Sequence, residues 1–295
     1  MTLAPIVLFV YNRPWHTKQT VESLQKNELA KESELFIYSD EAKNNDVRNS
    51  VDEVRRYIDR IDGFKNVTVI KREKNFGLAN SIIDGVTQTV NEYGKIIVLE
   101  DDLITSPYFL KFMNDALVFY KSDERVFSIS GYTYTYDTNI EHDDVFLFYG
   151  ASSWGWSTWV ERWNKIDFEV KDYSELLTNK TKQNKFNRGG DFLFDMLKAQ
   201  MKGQVDSWAI RFSYSHSKNN ALCLFPSKSM VHNIGHDNSG THCGRSARWD
   251  VNLDMNYSPK VKNIILNDEI VSSVQKGLNK TYLEKIKRLI RKIIK

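Results

Sequence analysis

Residues 96–102 read Ile-Ile-Val-Leu-Glu-Asp-Asp, four apolar residues followed at once by three acids. A short apolar run that ends in charge is typical of a strand buried on both faces of a sheet. Three similar runs precede it, at residues 6–11, 35–38 and 67–70. Helical patterns separate and follow these runs, at residues 17–26, 46–61, 78–93 and 107–120. This alternation predicts an α/β fold in which a mainly parallel central sheet is flanked by helices.

The second half of the chain is less regular. Residues 126–130 and 145–148 have the composition of strands, residues 179–188 are polar and predict a loop, and residues 192–201 predict a helix. No internal repeat or low-complexity linker divides the sequence. We therefore expect one continuous domain over residues 1–275.

The composition is that of an ordinary globular protein. Of the 295 residues, 41% are hydrophobic and 27% are charged, which excludes intrinsic disorder, a collagen-like chain and a coiled coil. Cys223 and Cys243 are too few for a disulfide scaffold, and we expect both thiols to be reduced in a cytosol. No apolar run approaches the roughly 20 residues that span a bilayer. The first residues lack the basic stretch of a signal peptide.

The net charge of +3 hides a basic tail. Residues 276–295 contain eight Lys and Arg residues and one acid, a net +7, and the other residues, with 33 basic and 37 acidic side chains, carry a net −4. From Tyr282 on, apolar residues recur at helical spacing among basic ones, which predicts a C-terminal basic amphipathic helix. Such a helix suits an anionic membrane surface. The alternative is a terminal helix docked on the acidic body.

These charges also predict partners and location. We expect a cytoplasmic protein that is held peripherally at the inner face of the cell membrane by its tail. Nucleic acid is not an expected partner, because binding of its phosphates needs a basic face on the folded body.

Glu100, Asp101 and Asp102 follow a predicted strand, where ligands bind in sheets of this type. Three adjacent acids do not easily ionise side by side without a cation, and a divalent ion with oxygen ligands relieves the repulsion. The triplet therefore predicts a Mn²⁺ or Mg²⁺ site that also takes diphosphate oxygens. The alternative is an acidic loop or a helix cap.

The usual phosphate-binding loops are missing. No G-x-G-x-x-G follows the first strand and no G-x-x-x-x-G-K-[ST] occurs, which argues against dinucleotide-dependent oxidoreductases and P-loop NTPases. Gly77 stands at a strand–helix junction. There it either lets a helix N-terminus approach a phosphate or forms a plain turn.

Four segments, in this order, resemble nucleotide-sugar glycosyltransferases of the GT-A fold, of the bacterial family 2 type. They are residues 5–13, 38–40, 75–79 and 98–102. The Glu-Asp-Asp triplet also resembles the metal motif of eukaryotic N-acetylglucosaminyltransferase I. The resemblance implies a Rossmann-like GT-A domain, with a nucleotide-sugar-binding half at 1–125 and an acceptor-binding half at 126–275.

The resemblance also implies residue roles. Asn12 and Arg13 would meet the nucleotide and its phosphates, and Asp40 would hydrogen-bond the base. The segment from Asn75 would close over the ribose and the donor sugar. The implied donor-binding set is Asn12, Arg13, Asp40, Asn75, Gly77, Leu78, Glu100 and Asp101. Asp102 would bind the metal directly, while the sequence leaves the separate role of Glu100 open. The implied donor is a UDP-sugar, and the implied acceptor is a glycan or a lipid-linked molecule.

The transfer chemistry needs a base as well as cations. A cation such as Arg13 and a metal at Asp102 would stabilise the charge of the departing nucleoside diphosphate. An inverting transfer needs a carboxylate that deprotonates the acceptor hydroxyl. In the glycosyltransferases that this sequence resembles, the acid lies well downstream of the metal motif. Asp206 is our candidate for it, and Asp191 is the alternative. The alternative for Asp206 is a helix cap, a common use of aspartate.

Aromatic residues are concentrated at residues 154–163, which hold four of the seven tryptophans. Trp154 and Trp156, beside Gly155 at the start of a predicted helix, are expected to line an acceptor pocket. Trp159 and Trp163 lie at helical spacing from Trp156 and fit a buried helix face.

Residues 233–243 form a polar segment that resembles a donor-side loop of related enzymes, in which a histidine faces the diphosphate or the metal. His236 and His242 are the candidates, and His236 is our choice for the metal. A zinc site is the weaker alternative, because the spacing matches no standard finger.

Two other functional classes compete with a glycosyltransferase. A sugar-phosphate nucleotidyltransferase would need a Gly-rich N-terminal loop with a lysine, and residues 12–16 offer neither. A non-catalytic glycan-binding domain would not need the intact acids at 100–102.

Overall fold

The fold is taken from a computed structural model that describes residues 2–137, 139–140, 142–239 and 248–279. The strands of this part are β1 Ile6–Val10, β2 Glu34–Ser39, β3 Asn66–Lys71, β4 Lys95–Glu100, β5 Leu103–Thr105, β6 Val126–Ser130, β7 Val145–Phe148, β8 Trp156–Trp159, β9 Leu222–Pro226 and β10 Val231–Asn233. The α-helices are α1 Pro14–Gln25, α2 Arg48–Ile58, α3 Leu78–Tyr93, α4 Phe109–Phe119, α5 Val160–Trp163, α6 Tyr173–Thr178, α7 Lys180–Phe186, α8 Leu193–Met201, α9 Trp208–Lys218 and α10 Asp268–Leu278.

The centre is an eight-stranded sheet in the order β3-β2-β1-β4-β8-β6-β9-β7. Strands β3, β2, β1 and β4 are parallel neighbours. Strand β8 runs antiparallel between β4 and β6, and β7 is antiparallel to β9. The mixed but mostly parallel sheet confirms the α/β prediction.

Helices cover both faces of this sheet, which explains the continuous apolar strands. Every residue of β1 is buried, and its side chains point alternately into two cores. One core includes Val21 of α1 and Val54 of α2. The other includes Val86 of α3 and Phe212 of α9. A strand with two dry faces needs no polar alternation.

A second, two-stranded sheet crosses the carboxyl-end edge of the main sheet. Strand β5 follows the acid triplet directly and pairs antiparallel with β10, with Leu103 opposite Asn233 and Thr105 opposite Val231. The pairing brings the segment after β10 next to the end of β4. Residues more than 100 positions apart in sequence thereby share one edge.

Two local predictions were wrong. Residues 179–188 are not a loop, because Asn179 caps α7 by accepting a hydrogen bond from Lys182 N at 3.0 Å and Phe186 is buried. The tryptophan segment is not a helix throughout, since Trp156–Trp159 form strand β8 and only the four residues of α5 are helical.

The C-terminal part is seen only in its first residues. Helix α10 extends through residue 278 and buries Leu278 against β7 and β9, so it crosses the expected boundary at 275. The predicted amphipathic helix, from Tyr282 on, lies outside the described residues. Among the helices that are described, none is long and apolar enough to cross a membrane.

Candidate active site

The ends of β1 and β4 meet at an arginine held between two aspartates. Arg13 Nη2 donates to Asp101 Oδ1 and, at 3.0 Å, to Asp102 Oδ2. The parallel pairing of β1 with β4 places these residues side by side. The predicted phosphate-binding cation and the predicted metal motif are thus one cluster.

The Asp101 carboxylate is occupied by contacts within the protein. Its side chain is 6% exposed, and its Oδ2 also accepts a hydrogen bond from Tyr11 N at 3.3 Å. Its backbone carbonyl accepts from Thr20 Oγ1 at 2.9 Å. Asp101 therefore orients Arg13, and Asp102 is the acid that remains at the surface of the site.

The loop after β10 covers Asp102. Ile234 N donates to the Asp102 carbonyl at 2.9 Å, and Gly235 is buried against the side chains of both Asp102 and Arg13. A Cβ atom on Gly235 would lie 2.9 Å from Arg13 Nη1 and 2.9 Å from Asp102 Cγ. Only glycine permits this close approach of backbone to carboxylate.

Burial and mutual repulsion perturb the acids. Burial, together with the charges of Asp102 and Asp101, raises the pKa of Glu100 to about 8. Burial also raises the pKa of Asp101, although Arg13 opposes the shift. Burial alone would lower the pKa of Arg13, but the two aspartates raise it above its ordinary value. One guanidinium thus does not fully offset three acids, and the site favours a further cation.

The residues present fit a divalent cation that shares its ligands with substrate. No cluster of three or more His, Cys, Asp or Glu side chains suited to a metal occurs in the described ranges. Mg²⁺-type sites commonly use one or two carboxylates and complete their coordination with diphosphate oxygens and water. His236 follows Gly235, and its Nε2 is buried without a hydrogen-bond partner among the described residues. Asp102 and His236 stay the predicted protein ligands, whereas His242 lies outside the described residues.

Asp40, at the end of β2, organises the loop before α3. Its Oδ1 accepts from Glu41 N and Phe76 N, both at 2.9 Å, and its Oδ2 accepts from Gly77 N and Asn75 Nδ2, both at 3.0 Å. Four donors use the lone-pair capacity of a carboxylate. In this arrangement Asp40 fixes residues 75–77, and its expected contact with the base stays a prediction.

The remaining donor-side residues frame the same edge. Gly77 precedes α3 with a φ of +73°, a conformation that favours glycine. Leu78 is 41% exposed at the first position of α3. Asn12 is half-buried beside Arg13, and its side chain makes no hydrogen bond within the described residues. The structure leaves these side chains accessible at the predicted donor edge.

The two tryptophans of the predicted acceptor pocket lie in different environments. Trp154 is half-buried, its ring centroid lies 5.4 Å from that of His236, and it lines a cavity of about 320 Å³. Trp156 is 1% exposed and stacks on Trp163 and Trp208 in the core. The prediction that Trp156 binds the acceptor is therefore wrong, because strand β8 points that ring into the sheet–helix interface. The predicted burial of Trp159 and Trp163 is confirmed.

Neither candidate base joins the acid cluster directly. Asp206 is exposed, and its Oδ1 lies 3.6 Å from Arg211 Nη2. The cap of α9 is its neighbour Ser207, whose Oγ accepts from Ile210 N, so Asp206 is not that cap. Asp191 directly precedes two residues that line the cavity beside Trp154, and its backbone N donates to Asn279 Oδ1 at 3.0 Å. The choice between them stays a prediction.

Sequence reasoning missed two contributors at this edge. One is Gly235. Its position has no room for a side chain, but this becomes visible only when β10 is paired with β5. The other is a link between α1 and the loop after β10, where His16 Nε2 lies 3.1 Å from Asp237 Oδ2. The only sequence signal was the polar character of residues 233–243.

Comparison with known proteins gives one family. The family model described as Glycosyl transferase family 2 matches residues 6–193, more than half of the chain. None of the curated proteins matches the sequence significantly.

Three solved structures are similar at low identity. The mannosyltransferase PcManGT from Pyrobaculum calidifontis, in complex with GDP-Man and Mn²⁺, is 12% identical with a TM-score of 0.34, over 45% of this chain and 36% of that one. TarS from S. aureus is 13% identical with a TM-score of 0.46, over 78% and 36%. Mouse xyloside xylosyltransferase 1, in its apo form, is 12% identical with a TM-score of 0.37, over 72% and 80%. The chain thus spans about a third of the length of the first two.

Proposed function

The chain belongs to glycosyl transferase family 2, and from this membership we propose that it transfers a sugar from a nucleoside-diphosphate donor to a glycan or lipid-linked acceptor. The observation that carries the proposal is the Asp101–Arg13–Asp102 cluster at the carboxyl ends of β1 and β4. It puts a fixed cation and a carboxylate at the position where ligands bind in such sheets.

The donor diphosphate would lie against Arg13. As the bond between the anomeric carbon and the diphosphate breaks, negative charge grows on the leaving oxygen, and a preorganised guanidinium stabilises it. Arg13 costs little reorganisation here, because Asp101 already holds it. Asp102 and His236 would hold Mn²⁺ or Mg²⁺, which supplies further charge stabilisation to the diphosphate when bound.

The acceptor would approach from the side of Trp154, with inversion at the anomeric carbon. Its hydroxyl oxygen forms the new bond to that carbon, the bond to the diphosphate breaks, and the hydroxyl proton passes to a carboxylate. Asp206 is our first choice for this base and Asp191 the second. Asp40 would act by fixing residues 75–77 over the ribose.

We further propose UDP as the nucleotide, on the strength of the sequence resemblance, and a role in the synthesis of a bacterial surface polysaccharide. The basic tail at 276–295 would hold the enzyme at the inner face of the membrane. Deletion of residues 281–295 should then release the protein from vesicles that contain anionic lipid. Equal binding of the full and shortened proteins would contradict the membrane role.

Calorimetric titration tests the donor site. UDP should bind the wild type in the presence of Mn²⁺ and much more weakly in its absence, and GDP and dTDP should bind less tightly than UDP. Asp102→Asn should lose the Mn²⁺-dependent part, because the substitution removes the negative charge that would face the cation.

Asp115→Asn is the matched control, since Asp115 is a surface acid on α4 that pairs with Lys111. It should bind Mn²⁺ and UDP like the wild type. Metal-dependent UDP binding that survives in Asp102→Asn would contradict the assignment of the metal site.

A further inference from the structure

An aromatic cavity of about 320 Å³ adjoins the donor edge. Its walls come from the segment before β8, from α8 and α9, and from residues near the C-terminus. The aromatic side chains in these walls are Tyr134, Trp154, Phe192, Phe212 and Trp249. Ligand sites of this kind usually combine apolar walls with a few polar groups that fix orientation.

Trp154 connects the cavity to the predicted reaction centre. Its ring lines the cavity and packs edge-on against the His236 ring, with centroids 5.4 Å apart. His236 follows Gly235, which lies on Asp102 and Arg13. Trp154, His236 and Gly235 thus form a continuous path from the cavity to Asp102 and Arg13.

Serine hydroxyls supply polar groups in this cavity. Ser153 and Ser213 both line it, and neither side chain forms a hydrogen bond to any of the described residues. Ser213, an 8% exposed residue, shares the wall of the cavity with aromatic side chains. A hydroxyl without a partner among these residues can donate to and accept from a ligand.

The lining holds no Asp, Glu, Lys, Arg or His side chain within the described chain. A phosphate or carboxylate placed there would lose its hydration without gaining an opposite charge, which is costly. The volume lies at the small end of the usual range of about 300–1,000 Å³ for ligand sites. The occupant must be uncharged, small, and both apolar-faced and hydroxylated.

We propose that this cavity binds one neutral hexopyranose unit of the acceptor, with its C–H face on the aromatic rings and its hydroxyls on Ser153 and Ser213. The assignment deepens the proposed glycosyltransferase function. It rests on that function, because only a transferase has an acceptor. Under this assignment, a neutral sugar of the acceptor lies in the cavity, and any charged or lipid part of the acceptor lies outside it.

Tryptophan fluorescence reports binding directly, because Trp154 and Trp249 line the cavity. The full-length protein is titrated with methyl glucopyranoside, methyl galactopyranoside and methyl N-acetylglucosaminide, and in parallel with methyl glucuronide and glucose 6-phosphate. We expect at least one neutral glycoside to saturate. Its charged counterparts should bind more than about tenfold more weakly, equivalent to about 1.4 kcal/mol.

Variants locate the binding. Ser213→Asp puts an acid into the cavity and should abolish binding of the neutral glycoside, and Ser213→Ala, the milder change, should weaken it. Phe119→Ala removes a 46% exposed aromatic ring from α4 and should leave sugar binding unchanged. Mn²⁺-dependent UDP binding, measured on each variant, checks that the protein is folded.

The outcomes distinguish the two proposals. If UDP binds but no neutral glycoside does, or if the charged sugars bind equally well, the cavity assignment is overturned. If the neutral glycoside binds with the same affinity in Ser213→Ala and Ser213→Asp, it binds elsewhere and the assignment fails. If neutral sugars bind in a Ser213-dependent way while UDP never binds, the cavity stands as a sugar site and the transferase proposal fails.

Discussion

Replacing Gly235 by alanine should disable the donor site while leaving the fold intact. The new Cβ would lie 2.9 Å from Asp102 Cγ, 2.9 Å from Arg13 Nη1 and closer still to Asp102 Oδ2, whereas real Cβ contacts essentially never fall below 3.0 Å. Gly235 is not among the glycines with positive φ, so its backbone accepts alanine. The strain falls on the Asp102 carboxylate.

The expected loss is set by that one carboxylate. Disturbing the orientation of a metal ligand typically costs about 10- to 100-fold in metal affinity, and we expect a loss of this size in the Mn²⁺-dependent affinity for UDP. A shift of about 1 Å at a reacting geometry costs on the order of 100-fold in rate. The free energy of unfolding should fall by only about 1–3 kcal/mol, the usual cost of an overpacked site.

Calorimetry and thermal unfolding are the assays, with Ile234→Ala as the control. Ile234 is half-buried in the same loop, and its truncation adds no atom beside Asp102. A Gly235→Ala protein that binds Mn²⁺ and UDP within about threefold of wild type, while Asp102→Asn does not, would refute the reasoning. It would mean that the loop moves away from Asp102 at little cost, about 0.65 kcal/mol or less.

Three further predictions concern the base, an internal histidine and Asp40. Asp206→Asn should keep donor affinity and lose on the order of 10²–10⁴ in kcat; steady-state kinetics that show this loss at Asp191→Asn instead would move the role to Asp191. His216 is fully buried between Phe212 O and Ser128 Oγ, and burial lowers its pKa to about 4. Because the unfolded side chain takes up its proton near pH 6.5, stability should fall as pH drops from about 6.5 to 4, by about 3 kcal/mol. Urea unfolding at both ends of this range should show that loss in the wild type and not in His216→Gln. Asp40→Asn turns one acceptor oxygen into a donor that faces other donors, so hydrogen exchange at Phe76 N and Gly77 N should accelerate and donor affinity should fall about tenfold, equivalent to about 1.4 kcal/mol. Asp59→Asn, at a 48% exposed acid paired with Lys71, should change neither.

The strands of the first half were predictable because a buried strand has a recognisable local sequence pattern, a short run of apolar residues. A strand covered on both faces is apolar along its covered length, as β1 is throughout and β4 is at its four central positions. The same local logic placed the acid triplet at the end of β4 and identified α3 by its apolar spacing. The order of these signals along the chain was also enough to suggest the glycosyltransferase family, to which the chain belongs.

Where side chains meet across the chain, local pattern was not enough. Residues 180–186 look polar, but tertiary packing buries Phe186 and makes them a helix. Trp156 and Trp154 are two residues apart in one aromatic run, yet only Trp156 belongs to strand β8, and its ring enters the core while that of Trp154 lies beside His236. Gly155, with a φ of +62°, separates the two residues, and the aromatic run did not show where the strand begins.

The amino-acid sequence by itself determined the strands of the first half, the helices between them and the charged residues that follow the strands, because apolar periodicity over a few residues shows where each of these elements lies. Only the tertiary structure decided what those charged residues do. The parallel pairing of β1 with β4 places Arg13 between Asp101 and Asp102, and the pairing of β5 with β10 lays Gly235 on Asp102. Contacts between residues so far apart in the sequence depend on how the strands are ordered, and strand order is a property of the whole fold.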